Sequence, residues 1–566
     1  MHRKDTDRIF TPTQFMSNQL EGATVIVNDH NVFYDIGVRA KGGSRGRPFP
    51  SHWGSYNLRF HPDQLFRGVH DAIGLDKSGK AAREQEEILF DHISNHAAGG
   101  LLSHYTDLAY SVGSVPEHDG TVILELARYD STYLDEPFEK GENATVFEHG
   151  LIYYPTQTID GTPEGLKTAA PNEVLGVPSD DYGDDKEFYR WNLLIKNNRV
   201  RDDYDRVIEM NKVLGLRDDA FLDAVEDVID VDQWLRTFAV AHLAGVHDSY
   251  FRLDWQHNTG LIVPPSDRGI LLVPWDADVV FNQGYGLFTS NPQFKGLMES
   301  PEYERTFYGH LHDILNTTFN VEYLAPWADH YGKLVNQDLS RMSGLIAANT
   351  ADALGEIERR APTVEFAVTD ALPSDTQPES MMTLTGTAWI NVRQIQLVDS
   401  DLPLDVTWTD VTTWKIDVPV LPGVTELIME AYDFQAAQIG VNAIAVTPPP
   451  VTGDLTGDGI LNVGDIELLN ARIHSGSNDA NFDLDENGQV NRADVDVLFR
   501  LLGTTYGDTN LDGVFDSDDL VQMLATGKYE DSTDRNSGWA DGDFDGDGDF
   551  TSEDLVIAFQ FGHYQF

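Results

Sequence analysis

Near the C-terminus, four twelve-residue segments carry oxygen-bearing side chains at positions 1, 3, 5, 9 and 12, with Gly at position 6. They are Asp454, Thr456, Asp458, Gly459, Asn462, Asp465; Asp483, Asp485, Asn487, Gly488, Asn491, Asp494; Asp508, Asn510, Asp512, Gly513, Asp516, Asp519; and Asp543, Asp545, Asp547, Gly548, Thr551, Asp554. That spacing wraps a loop around one hard divalent cation, the glycine permitting the sharp turn, and calcium is the ion it fits. Each loop closes with Asp rather than the bidentate Glu of tight sensors, which predicts a structural site of extracellular-range affinity. Generic acidic turns are the plainer reading, and four repeats of the pattern weigh against it.

A second constellation lies some two hundred residues earlier. Phosphoryl transfer to a hydroxyl needs a carboxylate to orient that hydroxyl, and an Asn and an Asp whose oxygens hold the metal bridging nucleotide phosphates. Asp248, Asn258 and Asp276 occur in that order in GVHDSYFRLDWQHN and LLVPWDADVVF. A Gly-rich turn, YDIGVRAKGGSRGRP followed by GSYNLRF, adds Arg39, Lys41, Arg45, Arg47 and Arg59. Cations beside exposed backbone N–H groups suit phosphate. Taken alone, a solvated basic turn and aspartates in turns or at strand ends explain these residues equally well.

The elements that must position these groups fall into three regions. Residues 25–360, after an N-terminal extension (1–24), alternate strand-like runs such as VILELARY with amphipathic helices and read as a large α+β domain. After Asp230, apolar residues Val231, Trp234, Leu235, Phe238 and Leu243 recur at helical spacing, and Asp230 with Gln233 offers a capping pair. Residues 321–360 form a more polar helical stretch that closes the domain. Residues 363–447 read as short strands between Pro, Gly and Asp turns, an all-β, Ig-like sandwich serving as a spacer. TPPPVTG, from Thr447 to Gly453, marks a stiff linker centred on 448–453. In 454–566 each calcium loop runs into one apolar helix, so the repeat is loop–helix. Trp191 and Trp234 are expected in the core. His92, His96 and His149 lack a metal-ligand spacing and are read as structural.

Composition limits the partners. Ninety-three acidic against 39 basic residues give a net charge of −54, which disfavours nucleic acid and anionic membranes. Residues 451–566 account for −20, leaving −34 on the first 450, read as a solvated acidic surface suited to salty water. Without cysteine there is no disulfide framework or thiolate metal site. No window reaches the roughly 18 apolar residues of a membrane span. The opening MHRKDTDRIF has no apolar core, so an exported protein with this start is expected to be a fragment of a longer precursor.

The segments GVRAKGGSRGRP, SYNLRFHPDQLFRGVH, FEHGLIYYPTQTIDGTPEGLK, DDKEFYRWNLLIKNNRVRDDY, DVDQWLRTFAVAHLAGVHDSY and LLVPWDADVVFN resemble the CotH kinase family over roughly residues 25–330. The resemblance implies an atypical kinase-like fold that uses ATP with Mg or Mn to phosphorylate protein Ser/Thr. It makes Asp248, in HDSY, the catalytic Asp and Asp276, in PWDAD, the metal-binding Asp, with Asp278 close by. Asn258, in the HN pair, becomes the second metal ligand. Lys41 or Arg39 sits near the phosphates, with Arg45 in the same turn and Arg59 a further alternative, and Glu87 is the candidate to pair with that cation. A second reading keeps the CotH-like fold for binding alone, as a non-catalytic coat or adhesion component. The C-terminal repeats resemble a dockerin, as two dockerin-like pairs in tandem, which implies calcium and a cohesin-like or cell-surface partner. Positions 10 and 11 of the loops do not repeat, which argues against a symmetric partner face. The combination implies a multidomain protein at the cell surface or outside the cell, acting on a protein phosphoacceptor.

Overall fold

The structure, a computed structural model, describes residues 1–10, 18–41, 55–76, 86–97, 103–112, 121–150, 152–153, 174–175, 177–190, 192–251, 257–277, 279–282, 290–373, 381–398, 400, 402–420, 425–446 and 451–565. Arg45, Trp191 and Asp278 lie outside the described residues. The chain forms two compact units: 1–367 with 386–415 and 430–441, and 368–385 with 416–429 and 442–566.

The first unit begins with α1 (Arg3–Phe10) and an antiparallel sheet. Its strands are β1 (Glu21–Val27), β2 (Asn31–Ala40), β3 (Tyr56–Arg59) and β4 (Ala72–Asp76), then, after helix α2 (Glu87–His96), β5 (Thr106–Ser111) and β6 (Thr121–Ala127). They lie in the order β1-β2-β3-β4-β6-β5. β1 begins inside the stretch read from sequence as an extension, and Ile9 of α1 joins Phe33, Ile36 and Val38 of β2 in one apolar cluster. Because neighbours are antiparallel, the end of β2, the start of β3 and the end of β4 meet at one rim of the sheet, with Ala40 opposite Tyr56 and Tyr56 opposite Leu75.

Next come α3 (Ser131–Leu134), β7 (Thr145–His149), the short ribbon β8 (Ile152–Tyr153) with β9 (Val174–Leu175), β10 (Leu193–Ile195), and helices α4 (Asp205–Leu214), α5 (Asp218–Leu222), α6 (Val225–Val228) and α7 (Val231–Leu243). Strands β11 (Thr259–Val263) and β12 (Leu271–Pro274) complete a second antiparallel sheet, ordered β10-β7-β11-β12. Its register puts Thr259 opposite Pro274, Gly260 opposite Glu148 and His149 opposite Leu193. One rim therefore presents the end of β7, the residue before β11 and the residues after β12.

α7 is the buried centre of this unit. Asp230 caps it by accepting the Gln233 N–H at 3.0 Å, as the sequence indicates. Gln233 does not return the bond: its amide clasps both backbone groups of Leu272, at 2.7 and 2.9 Å, and so ties the helix to β12. Trp234 is in the core, and its indole donates to the Ile270 carbonyl at 2.8 Å. Helices α8 (Pro292–Leu297), α9 (Pro301–Thr317), α10 (Val321–Val335) and α11 (Arg341–Arg360) follow, with α9 packed along α7.

Residues 367–445 supply β13 (Ala367–Pro373), β14 (Met381–Thr387), β15 (Gln394–Leu397), β16 (Thr407–Trp408), β17 (Thr413–Pro419), β18 (Glu426–Tyr432) and β19 (Gln438–Ala445). They make two sheets, β13-β14-β17-β16 and β15-β18-β19. The division into compact units cuts through these strands rather than falling at residue 363, and Arg305 of α9 shows why. Its buried guanidinium donates to the carbonyls of Ala388, Val411, Trp389 and Val392 at 2.6 to 2.8 Å and stacks on Trp408. No sequence pattern announces that anchor.

In the second unit the four loop–helix repeats end in α12 (Val463–His474), α13 (Arg492–Leu502), α14 (Ser517–Ala525) and α15 (Ser552–Phe561). Ile466, Leu469, Leu498, Phe515, Met523, Trp539, Phe550 and Ala558 belong to one apolar cluster that draws on every repeat. One apolar core therefore spans all four repeats.

Candidate active site and candidate metal loops

The first sheet's rim brings together three groups. Lys41 directly follows β2, Ser55 precedes β3 and Asp76 ends β4. The Lys41 ammonium pairs with the Asp76 carboxylate and with Asp276 Oδ1 at 2.9 Å, while Ser55 donates to Asp76 at 2.8 Å. Of the cations left open for a phosphate-facing role, Lys41 has a side chain only 10% exposed, against 54% for Arg59. Burial by itself would lower the Lys41 pKa, yet Asp276, Asp76 and Glu87 more than offset it and hold it well above the usual lysine value.

Glu87 opens α2 and is almost fully buried, and its Oε1 accepts the Ala277 N–H at 3.1 Å. Glu87 lies close enough to influence Lys41 electrostatically, while the carboxylates that pair with the ammonium are Asp276 and Asp76, the latter not singled out in the sequence. Burial, with Asp91 and Asp76 nearby, pushes Glu87 well above the usual carboxyl range. Asp91, one turn further along α2, is also raised by burial. The signal for Asp76 in the sequence is slight: an Asp ending the apolar strand AIGLD.

The second sheet's rim supplies the rest. Asn258 and Asp276 flank the paired ends of β11 and β12, and both adopt left-handed backbone conformations, φ 48° and 54°. Such conformations are uncommon outside Gly and gather at functional sites, and Asn and Asp tolerate them best. Asn258 donates its amide N–H to the Asp248 carbonyl at 2.7 Å, which leaves the amide oxygen as the atom able to ligate. Asp248 follows the end of α7, in a turn fixed by Gly245 at φ 59°. A Cβ at Gly245 would stand 2.2 Å from the Asn282 carbonyl oxygen, so only glycine fits. The Asp248 carboxylate is 49% exposed and lies 3.8 Å from the His257 ring.

Lys41, Asn258, Asp276, Arg39 and Arg59 line one cleft of about 970 Å³; Asp248 is not among its lining residues, although its neighbour His257 is. His149 also lines it, hydrogen-bonded to Thr259 Oγ1 at 2.6 Å, while His92 touches the Tyr331 and Tyr323 hydroxyls and stacks on His96.

The C-terminal loops share one geometry. In each, the first Asp accepts the N–H of the position-6 glycine, at 2.7 Å from Gly459 and Gly488 and 2.8 Å from Gly513 and Gly548. Those four glycines have φ between 84° and 93°. Position 9 caps the following helix, and the closing Asp completes a capping box from inside that helix: Asn462 with Asp465, Asn491 with Asp494, Asp516 with Asp519, Thr551 with Asp554. All four closing carboxylates are buried. Carboxylate oxygens of Asp483, Asp485 and Asp494 lie within 4.8 Å of one another, as do those of Asp543, Asp545 and Asp547. Burial pushes Asp543 up to about 7, with Asp554 and Asp545 adding to it. Crowded carboxylates of this kind suit a hard divalent cation.

The two sites differ in what known proteins say of them. The family model described as CotH kinase protein matches residues 124–348. That segment contains Asp248, Asn258 and Asp276 and begins after Lys41, Asp76 and Glu87. Comparison with curated proteins gives no match.

Proposed function

We propose, from the premise of a CotH-like segment at residues 124–348, that the first unit is a protein Ser/Thr kinase using ATP with Mg or Mn. The observation that carries it is the Lys41 ammonium shared between Asp76 and Asp276 in a cleft that also presents Asn258. Bound metal–nucleotide supplies the transferable phosphoryl group and the charge that neutralises it. Asp276 and the Asn258 amide oxygen hold the metal, and Lys41 holds phosphate oxygens. Asp76, hydrogen-bonded by Ser55, keeps Lys41 in place, and Asp248 orients the acceptor hydroxyl and receives its proton. The carboxylates around a single ammonium leave negative charge for a divalent cation to balance.

Incubation of the purified chain with labelled ATP and Mg or Mn tests this directly. Label should enter the protein or an added Ser/Thr acceptor and be lost in Asp248→Ala; no labelling, with Asp248→Ala identical to wild type, ends the reading. One observation favours a second reading, a non-catalytic binding role: Asp248 is half-exposed and outside the cleft lining.

The C-terminal repeats, on this reading, bind calcium and attach the protein at the cell surface or outside the cell, through a cohesin-like or other surface partner. Their ligand spacing and four-fold loop geometry support that role.

A further inference from the structure

The cleft holds a second centre of positive charge that the kinase chemistry does not use. Arg59 ends β3, Arg128 directly follows β6, and Arg199 lies in the turns after β10; all three line the cleft. Arg128 is half-buried, and among the described residues its guanidinium has no carboxylate within 4 Å and makes no hydrogen bond. The charges that act on it are Asp71, Arg59, Glu148 and Arg199. Both of those carboxylates already have cations of their own, since Arg59 pairs with Asp71 at 3.0 Å and Lys196 pairs with Glu148. Arg199 is exposed, with its Nε on the Ile195 carbonyl at 3.2 Å.

A partly desolvated guanidinium flanked by two others is unfavourable by itself, and it is conspicuous in a chain with 93 acidic residues. An oxyanion would remove the penalty, because Arg presents a planar fork of donors matched to carboxylate and phosphate. This centre is separate from the one at Lys41, whose acting charges are Asp276, Asp76 and Glu87. A nucleotide brings one polyphosphate chain, and the Lys41–Asp276 end takes it. The cleft, about 970 Å³, is also at the upper end of what a single small ligand requires.

We propose that Arg59, Arg128 and Arg199 form an acceptor subsite of the cleft that takes an oxyanion of the protein substrate, a Glu or Asp carboxylate or a phosphoserine. The inference rests on the kinase reading and gives that reading its substrate class: an acidic or already phosphorylated protein segment.

The test uses the full chain and four Ser peptides alike except for flanking residues: Glu, phosphoserine, Gln or Lys. Wild type should favour the Glu or phosphoserine peptide by a KM about tenfold lower than the Gln peptide, the scale of one charge-assisted contact. Arg128→Gln, and the exposed and structurally milder Arg199→Gln, should erase that preference with KM for ATP unchanged, and Arg128→Lys should keep part of it. Which of the two acidic peptides gains more identifies the source of the oxyanion. Equal KM across the peptides overturns the subsite, as does Arg128→Gln raising KM for ATP while leaving acceptor preference intact. If no peptide is phosphorylated, the kinase reading fails, and fluorescence anisotropy of the same peptides without nucleotide decides the subsite separately. Selective binding of the acidic peptides, lost in Arg128→Gln, supports an anion site, and absence of selectivity removes it.

Discussion

The cleft and the C-terminal loops both gather carboxylates, by opposite means. In the loops every candidate ligand comes from twelve consecutive residues, and backbone N–H groups hold the carboxylates: Asp465 accepts from Leu455, Thr456 and Asn462. Around the cleft Asp76 and Asp276 come from the rims of two separate sheets, Lys41 and Asp276 being 235 residues apart, and a lysine holds both. A site built from local sequence can be copied and repeated. One built from distant rims depends on the register of the sheets that bring those rims together.

The largest effect expected on that contrast is chelation. If the crowded loop carboxylates rely on a cation, removing calcium should unfold the helices of 451–566, since metal binding and folding are then one process. Circular dichroism of the chain with and without chelator should show loss of the helix those residues contribute, while nucleotide binding by the first unit persists. Unchanged helix content would show that backbone amides alone hold the loops.

Next is Trp539, the buried centre of the second unit's core. Its indole donates to the Asp508 carbonyl of the third loop at 2.8 Å, and its backbone N–H donates to Glu467 of α12 at 2.9 Å. Trp539→Ala should cost about 3–5 kcal/mol in calcium-loaded denaturant unfolding. It should lower calcium affinity at more than one loop, whereas an effect confined to one loop would contradict a shared core.

In the cleft, Lys41→Met should lower phosphoryl transfer about 10²- to 10³-fold, the scale for losing one preorganised electrostatic contact. Asp76→Asn should cost less, roughly tenfold, because Lys41 keeps Asp276. Equal losses in steady-state rates would mean that Asp76 does more than hold the lysine.

The smallest effect is one of pH. Burial lowers His104 and His149 to about 3 and His92 and His242 to about 4, against 6.5 for a free histidine. These residues fold neutral, so their contribution is intact above pH 6.5. Below it the unfolded chain binds protons that the folded chain does not, and stability falls until about pH 4, where His92 and His242 protonate in place. NMR titration of the histidine rings in the folded chain should show these four still neutral at pH 5, and protonation near pH 6.5 would contradict the assignment.

The same contrast explains what could be read from the sequence. The four loops, the helix after each, and the helical pattern of α7 were legible because their signals sit within one or two turns of chain. Asp248, Asn258 and Asp276 were legible as a succession of motifs, and Lys41 only as one cation among several. Asp76 was not legible, because its role depends on β2, β3 and β4 pairing so that their ends share a rim. The Asp230 cap on the Gln233 N–H was legible, but not that the Gln233 side chain turns to Leu272, 39 residues away. Arg305, which ties residues 388–411 to α9, and the single core joining all four repeats were hidden for the same reason.

The central claim is that Lys41 and Asp276 act together on metal-bound nucleotide, and thermal unfolding of the first unit with and without MgATP tests it most directly. Wild type should be stabilised by MgATP in a concentration-dependent way, and both Lys41→Met and Asp276→Ala, checked as folded, should lose that shift. A MgATP shift of undiminished size in Asp276→Ala, or none in the wild type, would contradict it.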